Sequence, residues 1–331
     1  MGATWSVTSL ADILDPVADS IERGNDRLTD IARQESGTVL GTMLNFAIDA
    51  NGKRVRPALV FLATELFGKV DDGAVDLAAA TECLHSATLV HDDIVDGADS
   101  RRGREAVHVN WSEGAAVLTG DYLFAAAAGL VGGLDMPRIM TLFAETIMQI
   151  SRSEFDEPTY GPDGELMMGD YVAKIEGKTA SLFRLCCEAA AVLADGDEER
   201  QRAMRAYGLN LGVAFQIADD ILDVTGDADV IGKPVGGDLQ RGLLTSPTIH
   251  FLQTAGSDKT AVARFYGDGA PAGEGLHEAL NELGQSGAVA SARADAERFG
   301  QKARDSLAGF ADDPYLRALE GLTHYVISRA S

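Results

Sequence analysis

Apolar residues return every three or four positions over long stretches of the chain, and strict alternation is scarce, so the periodicity predicts helices rather than strands. Between Arg56 and Gly68 the recurring face is Leu59, Leu62, Ala63, Leu66 and Phe67; later Ala203, Tyr207, Leu211, Ala214 and Ile217 repeat it. Two long helices are expected over 78–96 and 201–224, each roughly 30 Å long at about 1.5 Å per residue. Small residues within them, such as Ala79, Ala80, Ala87, Gly208, Gly212 and Ala218, permit close helix packing or leave a cavity alongside. The apolar stretch from Ala115 to Leu134, broken by Asp121 and several glycines, reads as a buried helix or helix pair rather than a membrane span.

These patterns predict an all-α fold. The irregular stretches 156–169 and 256–275 interrupt it, the first as an active-site lid or a plain surface excursion, but neither has the composition of an interdomain linker. One domain over 1–331 is therefore expected, with residues 1–20 its least certain segment.

Composition narrows the function. The 331 residues are 46% apolar and 24% charged, enough for a large core. Lys and Arg total 28 against 51 Asp and Glu, a formal charge of −23, which excludes nucleic acid as a partner. A small phosphorylated substrate would need a local basic pocket or a metal bridge. Three cysteines, Cys83, Cys186 and Cys187, form neither a disulfide framework nor a thiolate metal site. With no basic segment followed by an apolar run at the amino terminus, a cytoplasmic location is expected.

The candidate chemistry lies in an internal echo. Asp92-Asp93-Ile94-Val95-Asp96 recurs as Asp219-Asp220-Ile221-Leu222-Asp223, 127 positions later and in the same register. On a helix, residues four apart share a face, so each cluster gathers carboxylates at the end of an apolar run. Oxygen-only ligands favour Mg²⁺ or Mn²⁺ over zinc, and such cations bridge to phosphate oxygens. Basic islands at Lys53-Arg54-Val55-Arg56, Arg101-Arg102-Gly103-Arg104, Lys174, Lys178 and Lys233 would complete a phosphate site, with Arg101 and Arg102 close enough to fold over the first cluster. The alternative readings are solvated helix ends for the aspartates, a solvated loop for Lys53, Arg54 and Arg56, and a hydrogen-bonded core histidine for His85.

In order along the chain stand GKRVRP (52–57), CLHSATLVHDDIVDGADSRRG (83–103), AVLTGDYL (116–123), KTASLF (178–183), FQIADDILDVTGD (215–227) and GKPVGGDLQRGLLTSP (232–247). This ordered set closely resembles the trans-type polyprenyl diphosphate synthases. The resemblance implies an all-helical isoprenoid synthase bundle around a deep cavity, usually a homodimer. In it Asp92, Asp93, Asp96, Asp219, Asp220 and Asp223 hold Mg²⁺, three ions with substrate bound, Mn²⁺ being the alternative. Lys53, Arg56, His85 and Arg102 match positions that bind isopentenyl diphosphate. Arg101, Lys178, Thr179, Phe215, Gln216 and Lys233 match those that hold the allylic prenyl diphosphate or support the reaction centre.

Two departures stand out: Glu157 where the family commonly has glutamine, three residues after the retained Glu154, and Leu243 where lysine is frequent. In the same family aromatic residues four or five positions before the first aspartate often stop the product short; here those places hold Thr88 and Ala87, with Leu84 a turn deeper. One turn rises 5.4 Å, about the length of an extended isoprene unit, so the upper cavity is expected to be open and the product longer than C20, suited to a respiratory quinone side chain. A C15 or C20 synthase is the alternative within the same chemistry. A terpene cyclase, a non-catalytic regulatory subunit and a helical interaction protein remain as other classes. A long-tailed product would leave through transient membrane contact.

Overall fold

The structure is a computed structural model that describes residues 9–48, 52–68, 70–101, 103–155, 168–226, 235–255, 260–266 and 274–329. Its helices are α1 (Leu10–Leu14), α2 (Ala18–Gln34), α3 (Val39–Ile48), α4 (Val55–Glu65), α5 (Asp72–Val95), α6 (Val107–Asn110), α7 (Glu113–Gly133), α8 (Pro137–Ser153), α9 (Met168–Ile175), α10 (Ser181–Leu193), α11 (Glu198–Thr225), α12 (Gly237–Gln240), α13 (Ser246–Ala255), α14 (Glu274–Gln285), α15 (Ala288–Ser306) and α16 (Pro314–Ser328). The fold is an all-α helical bundle. Among the described residues the exception is a two-residue hairpin, β1 (Ser100–Arg101) and β2 (Arg104–Glu105), paired antiparallel within the charged connection after the first aspartate cluster.

The described residues divide into two compact units. One comprises 1–147, 182–208 and 307–321; the other comprises 148–181, 209–306 and 322–331. Four of their five boundaries fall inside helices, and the fifth at the end of α15.

In the first unit α5 is the central element. Asp71 caps it, accepting from the Ala74 N–H at 3.2 Å, and its Ala-rich length is buried on most sides. The helix expected over 78–96 therefore starts six residues earlier, where the Asp71-Asp72-Gly73 start was hidden by its lack of apolar periodicity. α5 packs most extensively on α7, as small residues allow helix axes to approach. The stretch expected to be buried is the single helix α7, long and apolar enough to cross a membrane, yet only 39% of its most apolar window is buried. Val117 and Leu118 are exposed, which corrects the expectation of a core helix.

In the second unit the core forms around α11. Val213, Ala214, Ile217, Ala218 and Ile221 meet Tyr171, Ile175, Ile249, Phe265, Leu283 and Phe299. The helix expected over 201–224 runs from Glu198 to Thr225. Most of the two irregular stretches lies outside the described residues.

Candidate active site

The first cluster sits on the last turn of α5. Asp96 closes the helix, and Gly97 takes the left-handed conformation at φ 60°. The Gly97 N–H donates to the Ile94 carbonyl at 3.2 Å and the Ala98 N–H to the Asp93 carbonyl at 2.9 Å, the two bonds of a Schellman cap. The Asp-Gly pair thus stops the helix where its aspartates gather. Carboxylates at a helix C-terminus oppose the macrodipole, so the arrangement calls for compensating positive charge. Asp93 is buried, Asp92 half-buried and Asp96 exposed. Arg101, on β1, folds back as expected, and its Nε donates to Asp93 Oδ1 at 2.6 Å. Arg102 lies outside the described residues.

Further back on α5, His85 is half-buried, Leu84 and Ala87 are fully buried, and the Thr88 hydroxyl donates to the His85 carbonyl at 2.8 Å. Lys53, before α4, is exposed, and the guanidinium of Arg56, in the first turn of α4, lies 5.1 Å from the centre of the Phe183 ring. Arg54 is not part of a solvated loop: it pairs with Glu82 of α5 at 2.7 Å.

The second cluster ends α11 and has different neighbours. Asp220 is buried; its Oδ2 accepts from the Tyr171 hydroxyl at 2.5 Å and its Oδ1 from the Gln216 amide at 2.8 Å. Gln216 is oriented in turn by Thr179, whose hydroxyl donates to its Oε1 at 2.7 Å. Thr179 and Lys178 lie on a π-helical turn, Glu176–Ala180, a distortion frequent at functional sites. A Cβ at Gly177 would lie 2.8 Å from the Ser153 Cβ. This close approach puts Lys178 Nζ 2.8 Å from Glu154. Asp223 accepts from the Gly237 and Asp238 N–H groups at 3.2 and 3.0 Å, anchoring the start of α12. Asp219 pairs with Arg329, which also lies over the Phe215 ring at 4.7 Å.

Asp219, Asp220, Asp223 and Asp238 crowd one region. Burial first, then the Asp238 charge, pushes the Asp220 carboxyl well above the usual range and Asp223 up to about 6. Burial and the neighbouring Asp220 likewise keep the Tyr171 phenol protonated, and so a donor. A divalent cation would relieve this repulsion, and the donors are the hard oxygens that Mg²⁺ takes. Among the described residues no three His, Cys, Asp or Glu side chains converge on one point, so a bound ion would complete its shell with phosphate oxygens and water.

Lys233 and Glu157 lie outside the described residues. Leu243 serves its own loop: its N–H donates to the Asp238 carbonyl and its carbonyl accepts from the Tyr266 hydroxyl. Tyr171, Asp238 and Arg329 escaped the sequence reading. Tyr171 carries one faint signal, two turns before Lys178 on the same approach; Arg329, 110 residues from Asp219, carries none.

Residues 37–283 match the polyprenyl synthetase family. The chain belongs to that family. It is 34% identical to the all-trans-nonaprenyl-diphosphate synthase (geranyl-diphosphate specific) of Rhodobacter capsulatus over 96% of this chain and 97% of that one. The octaprenyl diphosphate synthase of Haemophilus influenzae is 31% identical, with 88% of each chain covered. Among solved structures, a polyprenyl synthase from Caulobacter crescentus CB15, complexed with calcium and isoprenyl diphosphate, superposes with a TM-score of 0.91 at 33% identity, over 98% of this chain and 99% of that one. The protein is thus a trans-type polyprenyl diphosphate synthase, an enzyme that extends isoprenoid chains on prenyl diphosphate substrates.

Proposed function

We propose that this synthase makes all-trans products longer than C20 with Mg²⁺ held by Asp92, Asp93, Asp96, Asp219, Asp220 and Asp223. The observation that carries the metal assignment is geometric: Asp220 is buried with its two oxygens fixed by Tyr171 and Gln216, and Asp223, held by the Gly237 and Asp238 N–H groups, stands beside a further carboxylate, so hard oxygens are crowded at a cost that a cation removes. When bound there, Mg²⁺ would supply positive charge against which a departing diphosphate is stabilised. Arg101, Lys178, Thr179, Phe215, Gln216 and Lys233 hold the allylic substrate, Thr179 and Gln216 as a pre-oriented pair. Lys53, Arg56, His85 and Arg102 hold isopentenyl diphosphate, whose double bond attacks the allylic carbon. The proton lost from the new chain passes to the diphosphate released. No nucleophilic side chain takes part.

The length assignment is supported by buried Ala87 and half-buried Thr88 one turn above the aspartates, where an aromatic ring would close a tunnel. The octaprenyl and nonaprenyl relatives agree with it. A quinone side chain is the destination such a product suits. The exposed Val117 and Leu118 on a helix as apolar as α7 support a homodimer through that face, in one catalytic domain working in the cytoplasm and releasing product by transient membrane contact.

The test incubates the protein with Mg²⁺, radiolabelled isopentenyl diphosphate and, separately, C10, C15 and C20 allylic diphosphates. A product ladder passing C20 is expected, and Ala87→Phe should shorten it to C20 or less. A sharp stop at C15 or C20 in the parent enzyme keeps the chemistry and overturns the length. No elongation by folded protein would favour a non-catalytic regulatory subunit.

A further inference from the structure

Among the described residues, three other than glycine have left-handed backbone: Arg54, Asp135 and Asp195. Aspartate tolerates that region through local hydrogen bonds, whereas arginine has no such compensation. At φ 49° and ψ 33°, Arg54 is strained, and strain of that kind persists where the surroundings over-determine it and clusters at functional sites.

What determines it here is its own side chain. Nη1 donates to Glu82 Oε1 at 2.7 Å and Nη2 to the Ile48 carbonyl at 3.0 Å. The pair is shielded, with the Glu82 side chain 6% and the Arg54 side chain 18% exposed. Ile48 ends α3, where helix carbonyls lack internal partners, Arg54 precedes α4, and Glu82 lies in mid α5. One guanidinium therefore ties three helices together. Committed to two protein acceptors, it is not available to a diphosphate. Lys53 and Arg56 flank it in sequence, and Glu82 stands three residues before His85, on the same face of α5.

We propose that Arg54 is a positioning residue for the isopentenyl diphosphate site. Its buried pair with Glu82 fixes the turn bearing Lys53 and Arg56 relative to the α5 turn bearing His85, so the non-allylic diphosphate meets a preset group of cations. The inference rests on the reading of Lys53, Arg56 and His85 as ligands of that substrate.

The test measures steady-state kinetics at saturating Mg²⁺ for Arg54→Gln, Glu82→Gln and the double variant, varying isopentenyl diphosphate and a C15 allylic diphosphate separately. Each single variant should raise KM for isopentenyl diphosphate about tenfold, equivalent to about 1.4 kcal/mol, with the allylic KM and kcat within about twofold. The double variant, which leaves no unpaired charge buried, should recover a good part of the loss. Arg54→Lys keeps the charge but not the fork; it should show the same selective rise, and replaces Arg54→Gln if that variant does not fold. An unchanged isopentenyl KM, or an equal rise for both substrates, overturns the proposal. Lys53→Ala separates the two levels: a raised KM there beside unchanged Arg54 variants overturns the tether alone, and an unchanged KM there overturns the site reading with it.

Discussion

At the end of α5 the buried aspartate, Asp93, meets a cation, Arg101; at the end of α11 the buried aspartate, Asp220, is held by two neutral donors, Tyr171 and Gln216, and faces further carboxylates. The two clusters have the same residue register, so the register alone cannot tell how each charge is compensated. A motif specifies ligands; the fold around it specifies the electrostatic state from which they bind. Without metal, the buried aspartate of the first cluster is paired with a cation of the protein, whereas the buried aspartate of the second is pressed by neighbouring carboxylates and gains more from a bound cation.

The largest effect should ignore this difference. Asp93→Ala and Asp220→Ala should each lower kcat by about a thousandfold, since each removes a hard ligand whose cation contributes several kcal/mol of charge stabilisation. Condensation rates with radiolabelled isopentenyl diphosphate give the comparison. A variant that keeps a tenth of parental activity would show that its cluster is dispensable.

Stability without metal should separate the clusters. Arg101→Ala breaks a shielded ion pair to the buried Asp93, a loss of about 3–5 kcal/mol. Tyr171→Phe removes one neutral donor to Asp220, a loss of about 1–3 kcal/mol. Urea unfolding in EDTA measures both, and the reverse order would mean that the hydroxyl, not the guanidinium, does more to hold its aspartate.

How far these features could be read from the sequence follows the same division. Helix periodicity, the paired aspartate registers and the return of Arg101 towards its cluster were legible because each depends on residues close in sequence. Tyr171 and Arg329 were not, because their roles arise where separate helices meet, 49 and 110 residues from their partners. Arg54 was hidden for another reason: it looks like its basic neighbours until its backbone angle and the burial of Glu82 are known. The exposure of α7 also escaped, since an apolar helix in a core and one awaiting a partner have the same composition.

Acidity should sharpen the contrast next. Burial and Asp238 raise Asp223 to about 6, so the folded protein binds that proton more tightly than the unfolded chain does. The group therefore removes stability as pH rises from about 4 to about 6, and the deficit persists above that window. Asp223→Asn abolishes it. In EDTA, the Tm of the variant relative to the parent should become more favourable by about 2–4 °C between pH 4.5 and 7.5, and Mg²⁺ with diphosphate should diminish that difference. A Tm difference that is flat with pH would mean that the bonds from Gly237 and Asp238 already balance the charge.

The smallest effect concerns a cation paired with the second cluster, Arg329. Arg329 reaches Asp219 at 2.5 Å, but the Asp219 side chain is 41% exposed, and pairs of that kind contribute about 1 kcal/mol or less. Arg329→Met should thus barely change Tm. It should still matter for metal, because a guanidinium on Asp219 must be displaced, or share the carboxylate, when a cation arrives. Removing it should lower the Mg²⁺ concentration for half-maximal activity by about two- to fivefold, a span that corresponds to about 1 kcal/mol or less. Arg101→Met makes the opposite case: its guanidinium is matched to a buried carboxylate, so its removal should cost stability far more than it eases metal entry. If Arg329→Met instead raises the Mg²⁺ requirement, Arg329 helps to hold the diphosphate that completes the metal's shell, and the second cluster resembles the first more than its resting contacts imply.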